Sequence, residues 1–230
     1  PMWLHASLLK LLSMQCLCAW LCILFVQYVH ASPLLNTDDP EITAYAHCQL
    51  ETSVVASKPS ATVSQFNTAC QVVKGVETSL GYANTSAITN STAWSAQIKS
   101  VLVPMQRWGL AASLSTTKND SPVGDQRAWF LNFPSAVSLN DGHIHLYSNI
   151  GYQKVQSHDD LMRWSTAMDI GLTQNTGISL EFFNQDRQAP FTQAVIHHVF
   201  SDVLSLEFSF GQRLQDFRQR WFGFGLSFTP

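Results

Sequence analysis

The side chains capable of chemistry in this chain are carboxylates, a few cations and two histidine pairs, distributed along short alternating segments. His143 and His145 are two apart, so in a strand both rings share one face, a geometry that could give a metal two ligands. No third ligand stands at a supporting spacing, and no metal site is expected. The adjacent His197 and His198 fall on opposite faces and form no compact pair.

Glu51, Glu77, Asp169, Glu181 and Glu207 each sit on the polar side of an alternating segment, with Lys99, Arg163, Arg187 and Arg213 as the cations that could neutralise them. Inside one enclosed space these nine side chains would form either a salt-bridged filling or a charged constriction that selects small solutes. Ionised acids would favour cations, whereas two close carboxylates share a proton and lose that preference. Simple alternation assigns Lys99 and Arg163 less securely than the others, so local bulges are expected to bring them inward. Hydrolysis at an outer wall would need a serine and a histidine within hydrogen-bond reach and a third group to orient the base. No serine stands in such a setting, and no glycine-rich phosphate loop leads from a strand into a helix. No catalytic residue and no cofactor are expected, and the chain is read as a non-enzyme. Asn84-Thr-Ser86 and Asn90-Ser-Thr92 have the form of glycosylation sequons and are read as turn residues.

The elements that must position these groups are strands. Phe222, Phe224, Leu226 and Phe228 alternate with Gly223, Gly225 and Ser227, and Leu204, Leu206, Phe208 and Phe210 alternate with Ser205, Glu207, Ser209 and Gly211. The same two-residue period runs through Val76–Tyr82, Trp108–Leu114, Ile144–Tyr152 and Trp164–Leu172. One face is apolar; the other carries carboxylates, hydroxyls and glycines. Turn residues divide the chain into about twelve strands, at 43–55, 61–73, 76–86, 92–103, 107–117, 127–138, 142–154, 162–173, 177–186, 191–201, 203–214 and 218–228. An even number lets an antiparallel barrel close and leaves no edge that lipid could not satisfy. The fold class expected is all-β, a transmembrane antiparallel β-barrel; a soluble β-sandwich would also alternate. Trp108, Trp164, Trp221, Tyr82 and Tyr152 are read as interface or wall aromatics.

Residues 11–28 are an almost unbroken apolar run ending near Val29-His30-Ala31-Ser32, which predicts a signal peptide over 1–31 and one barrel domain over 32–230. A run of that length could also be read as a spanning helix. Cys16, Cys18 and Cys22 fall within this run, while Cys48 and Cys70 follow it, where an oxidising compartment would permit a bridge. The formal net charge of −3 argues against a nucleic-acid partner, which would need a basic face.

Several short motifs resemble a known family in their order and spacing. They are Leu35-Asn-Thr-Asp-Asp-Pro-Glu41 followed by Ala46-His-Cys-Gln-Leu-Glu-Thr52; Phe66-Asn67 with Gly75–Tyr82; and Asn149-Ile-Gly-Tyr152. Leu180-Glu181 with Asp186-Arg187, and Leu206-Glu207 through Gly211-Gln-Arg213, complete the series. In this respect the chain resembles the outer-membrane β-barrels related to the MetA pathway of phenol degradation, in which a T-D-D segment precedes a strand with an inward glutamate. It departs from them in ending Phe228-Thr-Pro230 and in carrying Cys48 where a bulky residue is commoner. The resemblance implies a bacterial outer-membrane location, with outer-membrane lipid and the barrel-assembly machinery as partners. It also implies a channel or facilitator for a small, hydrophobic or aromatic solute of unknown identity. The rival reading is a closed structural or anchoring barrel whose interior groups pair only with one another.

Overall fold

The computed structural model describes residues 32–58, 61–122, 124–156 and 159–230, so the predicted signal peptide at 1–31 lies outside the described residues. The strands are β1 (Cys48–Ser57), β2 (Ala61–Val73), β3 (Val76–Ser86), β4 (Ser91–Val103), β5 (Trp108–Asp120) and β6 (Gln126–Leu139). They continue as β7 (Ile144–Val155), β8 (Leu161–Gly171), β9 (Thr176–Phe183), β10 (Phe191–Ser201), β11 (Leu204–Arg213) and β12 (Asp216–Phe228). Each pairs antiparallel with its sequence neighbours, and β1 pairs with β12, so the twelve strands close into a barrel. Closure sets Leu50 opposite Phe228, Thr52 opposite Leu226 and Val54 opposite Phe224, all on the outer face.

The period-2 pattern decides which face is which. Leu80, Ile98, Phe208 and Phe222 are exposed on the outside, whereas Ser53, Ser113, Ser179, Glu181, Gln193 and Glu207 are buried inside. A soluble sandwich buries its apolar face, so this arrangement excludes that alternative and suits a wall surrounded by lipid. Tyr82, Trp94, Trp129, Tyr152 and Trp164 lie on the outer face near the end carrying the β1–β2, β3–β4, β5–β6, β7–β8 and β9–β10 connections, here called the loop end. Trp108, Phe200 and Phe228 lie outward near the opposite end, where the β1 and β12 termini meet. Aromatic girdles at both levels are the mark of a membrane-spanning barrel.

Three sequence readings are corrected. Residues 43–47 do not extend β1; they form a turn in which Ala46 adopts a left-handed backbone (φ 64°) and donates to the Gln71 carbonyl. β9 ends at Phe183, so Arg187 lies in the following loop. Lys99 and Arg163 reach the interior by simple alternation with the outward Ile98 and Trp164, and no bulge is needed.

Cys48 and Cys70 are directly opposed across β1 and β2 and are joined by a disulfide. This bond fixes the root of β1 beside the turn that leads to it. Replacing both cysteines by serine releases a covalent loop with a sequence separation of 22. By chain entropy this should cost about 3 kcal/mol. It is expected to lower the temperature at which the folded barrel loses its compact mobility on an unboiled gel, without changing the strand content seen by circular dichroism.

Candidate functional site

The interior is not filled by wall side chains alone. Residues 32–45 form a strap that rises inside the barrel to a tip at Asn36 and Thr37 and then returns toward the terminal end. On the rising limb Ser32 Oγ donates to Glu207 Oε2 (2.6 Å) and the Leu34 carbonyl accepts from Gln193 Nε2 (2.9 Å). At the tip, Thr37 donates through both its backbone N–H and its hydroxyl to Glu181 Oε1, and Asn36 Oδ1 accepts from Gln185 of the β9–β10 loop. On the descending limb Lys99 Nζ meets Asp38 at 2.8 Å and Asp39 at 3.6 Å, and the Thr43 N–H donates to Glu77 Oε2 at 2.7 Å. The Asn149 amide, oriented by its partners, donates to the Asp38 carbonyl and accepts from the Asp38 N–H.

Small residues in the wall make room for this segment. A Cβ on Gly225 would stand 2.8 Å from Pro33 Cγ, and one on Gly223 would stand 3.0 Å from a Leu34 methyl. On the other side Pro40 Cγ comes to 3.1 Å of the Cβ position of Gly109, beside the buried Ala111. The glycines and serines that alternate with phenylalanines in β12 therefore form the seat of the strap.

The structure places Glu51, Glu77, Lys99, Arg163, Asp169, Glu181, Glu207 and Arg213 on the inner face, but they do not pair as the sequence suggested. Glu181 is fully buried and accepts from Thr37 and Gln193. Glu51 accepts from Gln49 and Asn67, and Asp169 Oδ1 accepts from Ser179 Oγ (2.6 Å) and faces His197 Nε2 (2.9 Å). Amide, hydroxyl and backbone donors thus satisfy most wall carboxylates, and charge-assisted bonds of this kind are short and directional. The cations turn instead to aspartates outside the wall. Lys99 takes the strap acids, Arg213 takes Asp186 (2.6 Å) in the β9–β10 loop, and Arg187 takes Asp159 on the exposed rim. Arg187 is therefore withdrawn from the interior set, because β9 stops before it.

The histidines separate. His143 lies in the β6–β7 turn and His145 on the inner face of β7, so no two-ligand face forms. His198 points outward to Thr176 Oγ1 (2.8 Å). Among the described residues no group of three or more His, Cys, Asp or Glu side chains could hold a metal ion.

Above the strap the inner wall of the loop end is half-exposed, through Val55, Thr85, Ser95, Thr117, Phe130, Gln153 and Trp221, and forms a vestibule floored by the strap tip. Trp221 stacks edge-on against Phe183 and Phe191 (6.2 and 5.6 Å between centroids), and its Nε1 donates to Gln193. Trp221 is thus an interior residue, contrary to its reading as a wall or interface aromatic. Its alternation with Phe222 already carried that information. The strap had no comparable signal, since its partners lie far away in sequence.

Two outcomes are expected. Glu181→Ala and Gly225→Val should each loosen the strap, making it cleavable by protease in the folded, detergent-solubilised barrel while the native chain is protected. Arg213, bonded to Asp186, holds that carboxyl below the usual aspartate value. A depressed acid stabilises above its unfolded pKa, near 3.9 for aspartate, and loses that contribution as pH falls through the lower folded value. The melting temperature of Asp186→Asn should therefore lie below that of the native chain at neutral pH and converge with it only below about pH 4.

Comparison with known proteins places this architecture among outer-membrane barrels. An outer membrane channel from Pseudomonas putida F1 superposes with a TM-score of 0.65 at 9% identity, covering 85% of this chain and all (100%) of that one. The KdgM porin in complex with disordered oligogalacturonate gives 0.64 at 8% identity, covering 78% and 98% of the two chains. Outer membrane phospholipase A from Escherichia coli, as an active-site variant, gives 0.51 at 8% identity over 88% and 95%. At such identities the likeness is one of fold, and the fold is shared by channels and an enzyme. No curated protein matches the chain in sequence. The family model of uncharacterised conserved protein UCP029691 matches residues 22–229, most of the chain, and the chain belongs to that family.

Proposed function

We propose that this chain is a channel of the bacterial outer membrane that passes small solutes, with the strap controlling the path. The observation that carries the reading is the division of the interior into an open vestibule and a lower half occupied by a segment that is not part of the wall. A purely structural barrel of about eight strands is filled by its own inward side chains. Here the wall opposite the strap is instead reduced to Gly109, Ala111, Gly223 and Gly225, and the strap is held through polar contacts that can be exchanged for water. Solutes with apolar or aromatic character are favoured by the half-exposed Phe130 and Trp221 on the inner face. The short motifs that resemble those of barrels related to phenol degradation are in keeping with the same reading. Outer-membrane lipid is the surrounding partner, and insertion proceeds through the barrel-assembly machinery; the channel is not an enzyme.

The closed-barrel reading keeps one observation in its favour: the strap is anchored on β3, β4, β7, β9, β10 and β11 at once. Single-channel recording in planar bilayers separates the two. Native protein starting at Ser32 should give discrete, small currents, and Glu181→Ala should open more often or to a larger conductance. If both insert folded and neither conducts, the barrel is closed and its role is structural.

A further inference from the structure

Arg163 differs from the other interior cations. Lys99 and Arg213 each hold a carboxylate, but among the described residues no carboxylate forms an ion pair with Arg163. It lies instead over the face of Phe130, 5.0 Å from the guanidinium carbon to the ring centroid, and makes a long hydrogen bond to Gln153 Oε1 at 3.5 Å. The placement is built into the sheet. Asn132, Gly151 and Arg163 lie side by side on β6, β7 and β8. The absence of a side chain at Gly151 lets the Phe130 ring lie flat there, since a Cβ would come within 2.4 Å of the ring. The Arg163 guanidinium lies over the same ring. Asn132 lines the same cavity; it is 3% exposed, and its Oδ1 has no hydrogen-bond partner.

We propose that this cluster recognises a small aromatic carboxylate in the vestibule, an inference that rests on the channel reading above and names its solute class. The planar guanidinium fork matches a carboxylate, and the edge of the Phe130 ring beside it suits the face of a solute ring. The cavity lined by Arg163, Asn132 and Ser165 measures about 20 Å³, enough for a water molecule and too small for a ring. The solute ring therefore lies on the vestibule side, near Phe130.

The test compares 4-hydroxybenzoate with phenol, which keeps the hydroxyl and lacks the carboxylate, on the folded native barrel and on Arg163→Gln. Calorimetry in detergent should show the acid binding about tenfold or more tightly than phenol, the scale of one charge-assisted bond. Arg163→Gln should bring the acid down to the phenol level and leave phenol unchanged. Equal binding of the two probes, or an acid affinity unaffected by Arg163→Gln, overturns the proposal. Should Arg163→Gln fail to fold, Arg163→Lys carries the test: it keeps the charge, loses the fork, and should weaken the acid alone. The same probes added during bilayer recording should interrupt native currents only with the acid. Binding without any native current would leave the site standing and sink the channel, whereas current indifferent to the acid would do the reverse.

Discussion

Everything in this molecule depends on the pairing of β1 with β12. In lipid no water is available to satisfy an open sheet edge, so the first and last strands must meet and every ladder must close. Closure makes inside and outside unequal, and the two-residue period of each strand then sorts side chains with no further instruction. Phenylalanines and leucines face hydrocarbon. Carboxylates, amides, serines and glycines are confined to a lumen where they must find partners or remain hydrated.

That confinement explains the strap. Twelve strands enclose more space than their small inner residues can fill, and buried carboxylates such as Glu181 and Glu207 need donors. A segment carrying free backbone N–H groups, hydroxyls and its own aspartates meets both needs. Its hydrogen bonds to Glu181, Glu77 and Glu207 use neutral donors, so holding it places little new positive charge in the lumen. Its acids, Asp38 and Asp39, are balanced by Lys99. The disulfide between Cys48 and Cys70 secures the point where the strap becomes wall, next to the left-handed turn at Ala46.

The barrel itself was legible in the sequence because its information is local. Strands β2, β3 and β10 begin and end where alternation and turn residues put them, and Glu77, Glu181 and Glu207 fall on the inner face with the glycines and serines around them. What was hidden is non-local. Thr37 and Glu181 are 144 residues apart, and no period links them. The T-D-D segment therefore read as the approach to a strand. The pairing of cations was missed for the same reason: Lys99 could be placed beside Glu77, its cross-strand neighbour, but nothing in the sequence brings Asp38 to it. Arg187 stands beyond both the expected end of its strand at 186 and the observed end at Phe183, in a loop whose course no alternation describes.

The distribution of charge also bears on how such a lumen could work. If every interior cation were matched to a wall carboxylate, opening a path would require breaking several ion pairs in a partly dehydrated space, each leaving an uncompensated charge. This interior avoids that arrangement. Its pairs of Lys99 with Asp38 and Arg213 with Asp186 join the wall to the strap and to a loop, the two parts outside the strand ladder. Displacing the strap would leave Lys99 beside Glu77, which faces it across the β3–β4 ladder and can take over as counter-ion. The wall can thus let the strap go without stranding Lys99, and the strap carries its own aspartates with it.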